Sequence, residues 1–451
     1  MTTPPDAATA ETDRVAPGAY RILAVLALAN LMNFYDRTVP AVVVEPVKAE
    51  FGLTDAEIGI LSAGFTVVYA LAGIVLGRMA DRGSRRRVMA GGLVAWSLLT
   101  ALSGGAWSFA SLLLFRLGVG IGEASCAPAG NAMIFDAFPS QRRARAVAVF
   151  QLGIPAGLLA AFFSVGWIVQ ATGSWRVPFF IAAVPGLLLA VAMLFLPEPD
   201  RGASHEGTTS HDGAARIERI GSGRPILSIL RIPTVLFLIL AGIGIQVPTY
   251  AISTFLVPLL MRYFGLGIGP ASLAAGVVLG FTGIVGLVAG GVLADRASRR
   301  SLRARLVVGA VALLGAAPLT LAALLVDPAL PTLFVTLFSA GWFFQYVFGT
   351  VSLPAIADVV QPNLRATAVA VYFAAFYLLG GAFGPLIAGF LSDRFAAAAT
   401  ATATMTAQAA GLHQALLVVV PAFLLLGALA AFGASRTVGA DHDRMLTRAA
   451  S

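Results

Sequence analysis

The segments GRMADRGSRR, residues 77 to 86, and GVLADRASRR, residues 291 to 300, decide the fold of this chain. Both contain a glycine, an Ala-Asp-Arg triplet and a Ser-Arg-Arg triplet at the same spacing, and both follow a long apolar run. A second pair, FDAFPSQRRARAVAVF from residue 135 and ADVVQPNLRATAVAVY from residue 357, repeats at nearly the same offset. These matches predict an internal duplication with both halves in the same orientation.

The composition places both halves in a membrane. The chain has 451 residues, of which 58% are hydrophobic and 12% are charged, whereas about 25% of residues are charged in a soluble protein. Apolar runs of about 20 residues, long enough to cross a bilayer as a helix, recur along most of the chain. They predict an all-α membrane protein with twelve transmembrane helices near residues 20–45, 56–79, 87–106, 109–137, 143–170, 176–196, 229–262, 271–294, 304–326, 331–358, 365–391 and 411–434.

The duplication divides these helices into two pseudo-symmetric six-helix bundles, residues 19–196 and 229–434. Residues 1–18 lack the apolar core of a signal peptide and are predicted to be a disordered cytoplasmic tail. The polar stretches 197–228 and 435–451 are predicted to be a cytoplasmic linker and a cytoplasmic tail. Parallel repeats of this kind place a binding site between the halves near the middle of the bilayer.

The distribution of the basic residues gives the orientation. Of 30 lysines and arginines, 24 lie in the two tails or in loops after even-numbered helices. By the positive-inside rule both termini are cytoplasmic, and we expect a bacterial-type inner membrane. The net charge of +8 is therefore an orientation signal, with contact to anionic lipids as a secondary role, and does not indicate nucleic acid. The sequence lacks GxxxxGK[ST], which disfavours an ATP-driven pump.

Several motifs of this sequence resemble motifs of a known family. GRMADRGSRR is similar to the signature loop between helices 2 and 3 of the major facilitator superfamily, with Ser84 where glycine is usual. RLGVGIGEAS from residue 116 resembles its helix 4 motif, and FLPEPDRG from residue 195 resembles its helix 6 exit. LMNFYDRTV, DAEIGILSAGFTVVYA and RLGVGIGEAS together resemble the Spinster branch, whose members are implicated in lysophospholipid and sphingosine-phosphate transport.

The resemblance implies a cytoplasmic gate. Asp81 and Asp295 would each approach the N-terminus of a helix in the opposite half, where a carboxylate stabilises the unpaired backbone N–H groups. The alternative is that the arginine-rich loops only set topology. The gating candidates are Gly77, Asp81, Arg82, Arg85, Arg86, Asp136, Arg143, Gly291, Asp295, Arg296, Arg299, Arg300, Asp358 and Arg365.

Four charged residues lie well inside predicted helices: Asp36, Arg37, Arg116 and Glu123. Charges at this depth are costly, so each needs a partner inside the bundle. Adjacent helical residues point about 100° apart, so Asp36 and Arg37 cannot pair face to face. We expect the cross-pairs Asp36 with Arg116 and Glu123 with Arg37, and we expect the stripe of Asn30, Asn33 and Arg37 to face the central cavity.

Two interpretations of these charges stay open. They form either a static cluster that sets helix packing, or a site where a carboxylate titrates during transport. Burial raises the pKa of a carboxylate and a nearby arginine lowers it, so a moving arginine can load or release a proton. Glu123 is the first candidate for the proton carrier and Asp36 the second. Arginine keeps its charge and is the natural contact for an anionic head group.

Helices 7 to 12 carry no charge at mid-span but are rich in aromatic and amide side chains. One charged wall and one apolar wall suit an amphipathic substrate, although aromatic residues at helical spacing more often serve packing. The substrate-binding candidates are Arg37, Asn33, Arg116, Gln246, Tyr250, Trp342, Tyr346, Phe373 and Tyr377.

Together these features predict a proton-coupled secondary transporter that moves a lysolipid or sphingoid-like molecule by alternating access. The alternatives are a proton-driven exporter of drugs or organic anions and, in another class, an uncoupled scramblase or receptor. We expect neither enzymatic activity nor a cofactor or metal, and we expect a functional monomer surrounded by membrane lipids. The sequence leaves open the cargo, the direction of transport and whether H⁺ or Na⁺ is coupled.

Overall fold

The structure, a computed structural model, describes residues 15–198, 225–361, 364–399 and 405–450. Within these ranges the chain forms helices and no strand. Most of the predicted N-terminal tail, 1–18, and of the predicted linker, 197–228, lies outside the described residues. Two short helices, Val44–Phe51 and Pro225–Leu230, accompany the long ones.

Twelve long helices overlap the twelve predicted spans, which confirms the predicted fold class. Eleven of them, α2 to α12, are long and apolar enough to cross a membrane. In chain order the helices are α1 (Ala19–Val42), α2 (Asp55–Arg82), α3 (Arg85–Gly104), α4 (Phe109–Ala137), α5 (Arg145–Thr172), α6 (Val177–Leu194), α7 (Pro233–Arg262), α8 (Ile268–Ser298), α9 (Leu302–Leu324), α10 (Pro331–Val359), α11 (Thr367–Ala398) and α12 (Ala407–Thr447).

Helix α1 carries a series of polar side chains in its interior. Asn30, Asn33 and Asp36 are 4%, 2% and 1% exposed, so they point into the protein rather than toward lipid. A helix that buries this many polar groups must supply each with a hydrogen-bonding partner. The buried polar side chains of α1 therefore mark an internal site.

Prolines explain several helix interruptions. Proline lacks an N–H group, and its ring clashes with the carbonyl four residues before it. Pro46 accounts for the end of α1 at Val42, and Pro128 accounts for the break at Ala124 that splits α4 into Phe109–Glu123 and Cys126–Ala137. The second of these breaks falls directly after Glu123, so the regular helical hydrogen bonding is interrupted beside a candidate proton carrier.

Helix α12 continues as a helix to Ala450, through almost all of the stretch predicted as the tail 435–451. Side chains on this extension contact other helices, which explains why it is ordered. Asp441 Oδ2 accepts hydrogen bonds from the backbone N–H of Thr234, at 2.9 Å, and from its hydroxyl, at 2.7 Å. The carboxylate therefore caps the start of α7, where backbone N–H groups have no partner within the helix.

The described residues divide into two compact units that cut across the sequence halves. Unit 1 comprises residues within Met1–Arg37, Val68–Ala160 and Trp175–Gly223, and unit 2 comprises residues within Thr38–Val67, Ala161–Ser174 and Arg224–Ser451. Helices α1, α2 and α5 each contribute to both units. The division into bundles at 19–196 and 229–434 remains a prediction from the duplication.

Small residues bring the helices of unit 1 into close contact. A Cβ atom on Gly122 of α4 would lie 2.8 Å from the backbone N of Trp96 on α3, and one on Gly153 of α5 would lie 2.8 Å from the carbonyl O of Ala27 on α1. Such close approach is typical of membrane helices, which associate through packing of small residues. Gly118 and Gly122 of RLGVGIGEAS are thus packing residues.

Unit 2 packs in a similar way around α7, α10 and α12. Gly244 of α7 lies against Gly427 of α12, where an added Cβ would come within 2.6 Å of the facing backbone N. A column of four aromatic rings extends from the end of α7 along α10, with centroids 4.6 to 5.3 Å apart: Phe264, Phe334, Phe338 and Trp342.

Adjacent glycines on α3 provide a test of this packing. A Cβ on Gly92 would meet the Ser125 side chain and lie 2.8 Å from the carbonyl O of Gly122, whereas a Cβ on Gly91 would meet nothing within 4 Å. We expect Gly92→Ala to destabilise the protein by about 1–3 kcal/mol through overpacking, measured as a lower midpoint of thermal unfolding in detergent. Gly91→Ala is the matched control and should leave the midpoint unchanged or raise it. Equal midpoints for the two variants would contradict the close contact of α3 and α4.

Candidate functional site

The centre of the candidate site is an ion pair between α1 and α4. Arg37 Nε donates to Glu123 Oε2 at 2.7 Å, and the Glu123 side chain is 0% exposed. This is one of the two cross-pairs predicted from the sequence. Because an unpaired charge at such a position is costly, the pair ties α1 to α4 at this depth.

Two aromatic rings face the guanidinium of Arg37. Its Cζ lies 3.9 Å from the centroid of the Tyr69 ring and 5.0 Å from that of Phe34. A cation over an aromatic face is attracted to it, more strongly where water is scarce. Tyr69, on α2, was not among the candidates because in the sequence it is one aromatic residue in an apolar run, and only helix packing brings it to Arg37.

Asp36 and Arg116 join the same buried cluster. Asp36 Oδ2 accepts a hydrogen bond from Thr100 Oγ1 of α3 at 3.4 Å. Arg116 is 3% exposed and interacts electrostatically with both Asp36 and Glu123. The structure thus brings all four predicted charges together in unit 1, two of each sign. A direct pair of Asp36 with Arg116 stays a prediction.

The asparagines of the predicted stripe lie against backbone instead of reaching open space. Asn30 Nδ2 donates to the carbonyl O of Phe150 at 2.8 Å, and Asn33 Nδ2 donates to the carbonyl O of Glu123 at 3.3 Å. The stripe was predicted to face the cavity, but of its three members only Arg37, with 15% of its side chain exposed, is more than marginally accessible. Asn33 instead satisfies a carbonyl next to the break in α4.

The aromatic candidates of the second half lie in unit 2 in two different settings. Trp342 is 0% exposed and stacks in the aromatic column, so it is part of the core. Phe373 and Tyr377, on successive turns of α11, are half-buried and stack with centroids 6.0 Å apart. Gln246 is 6% exposed and packs against Gly380, while Tyr250 is half-buried near Gly381.

Two π-helical segments interrupt α8 and α11. They span Val277–Phe281 and Phe376–Gly381, and Tyr377 belongs to the second. Tyr346 of α10 donates its hydroxyl to the carbonyl O of Leu279, inside the first segment, at 3.0 Å. Such insertions are rare and often occur at functional sites. They were not predicted, since neither segment has a distinctive composition.

Several gating candidates form contacts within their own half. Arg85 forms an ion pair with Asp136, and Arg86 donates to the carbonyl O of Leu196 at 2.7 Å. Glu198, which the sequence analysis missed, accepts from the backbone N–H of Arg85 at 2.7 Å. In the second half Arg305, also missed, pairs with Asp358. These bonds connect the ends of α3, α4 and α6 in one half, and of α9 and α10 in the other.

The remaining gating candidates stay predictions. Asp81 and Asp295 are exposed, and residues 362–363, before the start of α11, lie outside the described residues. Arg143 donates to the carbonyl O of Phe135 at 3.0 Å, and Arg365 to that of Val360 at 3.4 Å. Among the residues that the structure describes, no group of three or more His, Cys, Asp or Glu side chains could hold a metal ion.

Comparisons with known proteins agree with this architecture. The chain is 34% identical over 428 residues to an MFS-type efflux pump of Mycolicibacterium smegmatis, covering 93% of this chain and 94% of the relative. It is 30% identical over 397 residues to Protein spinster homolog 1 of Mus musculus, covering 83% and 73% of the two chains.

The fold and the sequence model point to the same family. A solved structure of a bacterial homologue of the human lysosomal transporter Spinster, in an inward-facing and unoccupied conformation, superposes with a TM-score of 0.82 at 29% identity, covering 94% of this chain and 98% of the other. The model of the Major Facilitator Superfamily matches residues 26–385. With twelve helices and the charged centre on α1 and α4, this chain belongs to the Major Facilitator Superfamily and is a transporter of the Spinster type.

Proposed function

We propose that this transporter couples proton movement to the transport of a small amphipathic molecule with an anionic or zwitterionic head group. The observation that carries the proposal is the ion pair between fully buried Glu123 and partly accessible Arg37. The permanent counter-charge that pairs directly with this carboxylate is Arg37, and its side chain is 15% exposed and so accessible to a ligand. Glu123 is the first proton carrier and Asp36 the second.

Competition for Arg37 would couple proton and substrate. Ionised Glu123 and an anionic head group both require the same guanidinium, and protonation of Glu123 removes one of the two competitors. Head-group binding to Arg37 should therefore be tighter when Glu123 is protonated. By reciprocity, a bound head group should increase the proton affinity of Glu123 by the same factor. Proton and substrate would then occupy the protein together.

The apolar part of the substrate would contact aromatic side chains of the second half. Phe373, Tyr377, Tyr250 and Tyr346 are half-buried, and Tyr377 lies in a π-helical segment. Gln246 and Tyr346 would line the same region, whereas Trp342 would support it from the core. Arg116 and Asn33 would hold the charged centre in place rather than contact the head group first.

Resemblance to the Spinster branch supports a lysolipid or sphingoid-like cargo. The second candidate is an exporter of drugs or organic anions, and the observation that favours it is the match to the M. smegmatis efflux pump over nearly the whole of both chains. We further propose a functional monomer in an inner membrane, with both termini in the cytoplasm and with the exposed Asp81 and Asp295 acting at the cytoplasmic gate.

Removal of the titratable carboxylate of Glu123 should abolish proton-driven accumulation but not exchange of the substrate. We expect Glu123→Gln in proteoliposomes to retain exchange of labelled lysolipid between the two sides but to lose accumulation driven by an inward-directed proton gradient, by roughly tenfold or more, because the site no longer gains or loses a proton. The measurement compares both modes at pH 6 and pH 8. Asp36→Asn should give a smaller loss of the same kind.

The half-buried carboxylate of Glu57 is the control, since it accepts hydrogen bonds from the backbone N–H and the hydroxyl of Thr54, three residues before it, and lies outside the charged cluster. Glu57→Gln should therefore behave as the unmodified protein. Normal gradient-driven accumulation and unchanged pH dependence in Glu123→Gln would refute the coupling role. Lysolipid transport that stays the same in every variant when the proton gradient is collapsed would favour a scramblase. If lysolipids are neither transported nor compete with the transported substrate, the exporter of other organic anions is favoured.

The geometry around Arg37 predicts a selective effect of conservative substitutions. Lysine keeps the charge but lacks the planar fork that pairs with a carboxylate or phosphate, so Arg37→Lys should weaken binding of an anionic lysolipid by roughly tenfold. Tyr69→Leu removes a cation–π contact worth about 0.5–2 kcal/mol and should weaken binding by several-fold. Tyr69→Phe retains the ring and serves as the control. Binding to purified protein at constant pH measures the effect, and equal loss in both Tyr69 variants would contradict a role for the ring face.

A further inference from the structure

A chain of hydrogen bonds joins α7 to α10 in the middle of the second half. Gln345 is the fifteenth of the 29 residues of α10, and Thr249 is the seventeenth of the 30 residues of α7. Gln345 Nε2 donates to Thr249 Oγ1 at 2.5 Å, and Thr249 Oγ1 donates to the carbonyl O of Ile245 at 2.7 Å. All three residues lie in unit 2, so the chain of bonds lies at the centre of two helices of the same unit.

These bonds decide which end of the Gln345 amide is free. Thr249 has one hydroxyl proton, and the carbonyl O of Ile245, four residues before it, takes that proton, as is common for a threonine inside a helix. The Gln345 atom that faces Thr249 is therefore the NH2 group, which can only donate. Among the residues that the structure describes, Gln345 Oε1 is buried and has no hydrogen-bond partner. The free end of the amide is thus an acceptor.

The unpaired amide oxygen requires a partner from outside the protein. The Gln345 side chain is 3% exposed, and buried polar atoms are nearly always hydrogen-bonded. A buried atom without a protein partner is satisfied by an ordered water or by a ligand that takes the place of that water. Because the oxygen can only accept, the ligand group must carry an O–H or an N–H.

Irregular helix backbone meets this level of α10 from two sides. Thr249 follows Pro248, which removes a backbone N–H from the interior of α7. Tyr346, the residue after Gln345, donates its hydroxyl to the carbonyl O of Leu279, within the π-helical segment of α8. Both irregular stretches are therefore tied to α10 by side chains next to or at the amide.

A third irregular segment belongs to α11. Gln246, three residues before Thr249 on α7, packs against Gly380 in the π-helical segment of α11, where an added Cβ would lie 2.5 Å from the Cβ of Gln246. Irregular backbone at membrane depth occurs where it is buried in protein or lines a water-filled cavity, and transporters form binding sites from interrupted helices. The position of Gln345 is typical of a binding site for these reasons.

The surroundings of Gln345 favour a neutral donor. Helices α7 to α12 carry no charged residue at mid-span, so they offer no side-chain charge to balance an ammonium group, which is costly to bury at this depth. A hydroxyl group is neutral and small, and it donates to an amide oxygen. Thr249 and Tyr346 are half-buried, so the residues around the amide extend to the accessible part of unit 2.

We propose that Gln345 binds a hydroxyl group of the substrate and thereby selects amphiphilic molecules that carry a free hydroxyl in addition to an anionic or zwitterionic head group. Thr249 is a positioning residue, since its hydroxyl holds the amide with the oxygen free. This inference rests on the proposed function, because it concerns the same cargo. It adds an uncharged contact through which the transporter distinguishes substrates of equal charge and chain length.

Two analogues that differ in one hydroxyl test the proposal. Palmitoyl lysophosphatidic acid has a free hydroxyl on its glycerol, and its deoxy analogue has the same phosphate and the same chain without that hydroxyl. Binding of each analogue to the purified protein is measured at constant pH, and the ratio of the two dissociation constants is the readout. We expect the unmodified protein to prefer the hydroxylated analogue by roughly tenfold, because the deoxy analogue leaves a buried acceptor unpaired.

Substitutions at Gln345 and Thr249 should remove this preference. Gln345→Leu removes the acceptor and should make the two affinities equal by weakening only the hydroxylated analogue. Gln345→Met keeps the unbranched shape and should give the same result if the leucine variant does not fold. Thr249→Val releases the amide and should give an intermediate preference. In the double variant, Thr249→Val should add nothing to Gln345→Leu, since the two side chains act as one unit.

Thr336→Val on α10 is the matched control. Thr336 Oγ1 also donates to the carbonyl O four residues before it, that of Thr332, at 2.9 Å, but the residue is exposed and belongs to the outward face of its helix. This variant should keep the full preference for the hydroxylated analogue. Thermal unfolding of each purified variant establishes that it is folded.

The possible failures are distinguishable. If the unmodified protein binds both analogues with equal affinity, or if folded Gln345→Leu keeps the preference, the hydroxyl contact is wrong while the proposed function stands. If Gln345→Leu weakens both analogues equally, the amide only holds α7 to α10 and the proposal is again overturned. If the unmodified protein binds neither analogue, the lysolipid cargo of the proposed function fails together with the hydroxyl contact.

Discussion

The buried ion pair of Arg37 with Glu123 is the constraint on which the first half of the protein depends. Two charges at this depth are tolerated only if they stay together and if their remaining polar atoms find partners. That requirement places α1 beside α4, positions Tyr69 over the guanidinium and turns the amides of Asn30 and Asn33 toward carbonyl oxygens on α5 and α4. It also explains why α1 carries so many polar side chains for a helix inside the protein. The polar residues that weaken it as a membrane span are the ones that build the site.

The fold and the charged cluster were predictable for different reasons. The duplication, the apolar runs and the spacing of the signature loops are properties of sequence alone, so the twelve helices followed from them. The pairing of Arg37 with Glu123 followed from the chemistry of buried charge, which demands an opposite partner at a reachable depth. Neither argument gives the direction in which a neutral side chain points. Tyr69 was therefore missed, and Asn33 was expected in a cavity that its amide does not face.

The cations on the side predicted to be outside carry a signal of their own. Only a few cations, among them Lys48 and Arg262, fell on the side predicted to be outside. A cation that the orientation signal does not explain needs another reason, and in the structure both bond to Asp55. Arg176, another of them, donates to the carbonyl O of Ala106 at 2.8 Å and lies over the ring of Trp175. Charges that oppose the topology rule were thus good candidates for specific contacts, although the sequence could not show with which residues.

Helices α2 and α11 carry the pattern Gly-x-x-x-Asp-Arg at their C-terminal ends. The predicted topology places these two ends on opposite sides of the membrane. Asp393 caps the N-terminus of α2 at the end that the charge distribution predicts to be outside. At the ends of α2 and α8 the same pattern contains Asp81 and Asp295, for which the resemblance predicts a cap of the same kind at a helix N-terminus. Asp393 shows that an aspartate at this position of the pattern can reach unpaired backbone N–H groups of another helix, which is the chemistry that the prediction for Asp81 and Asp295 requires.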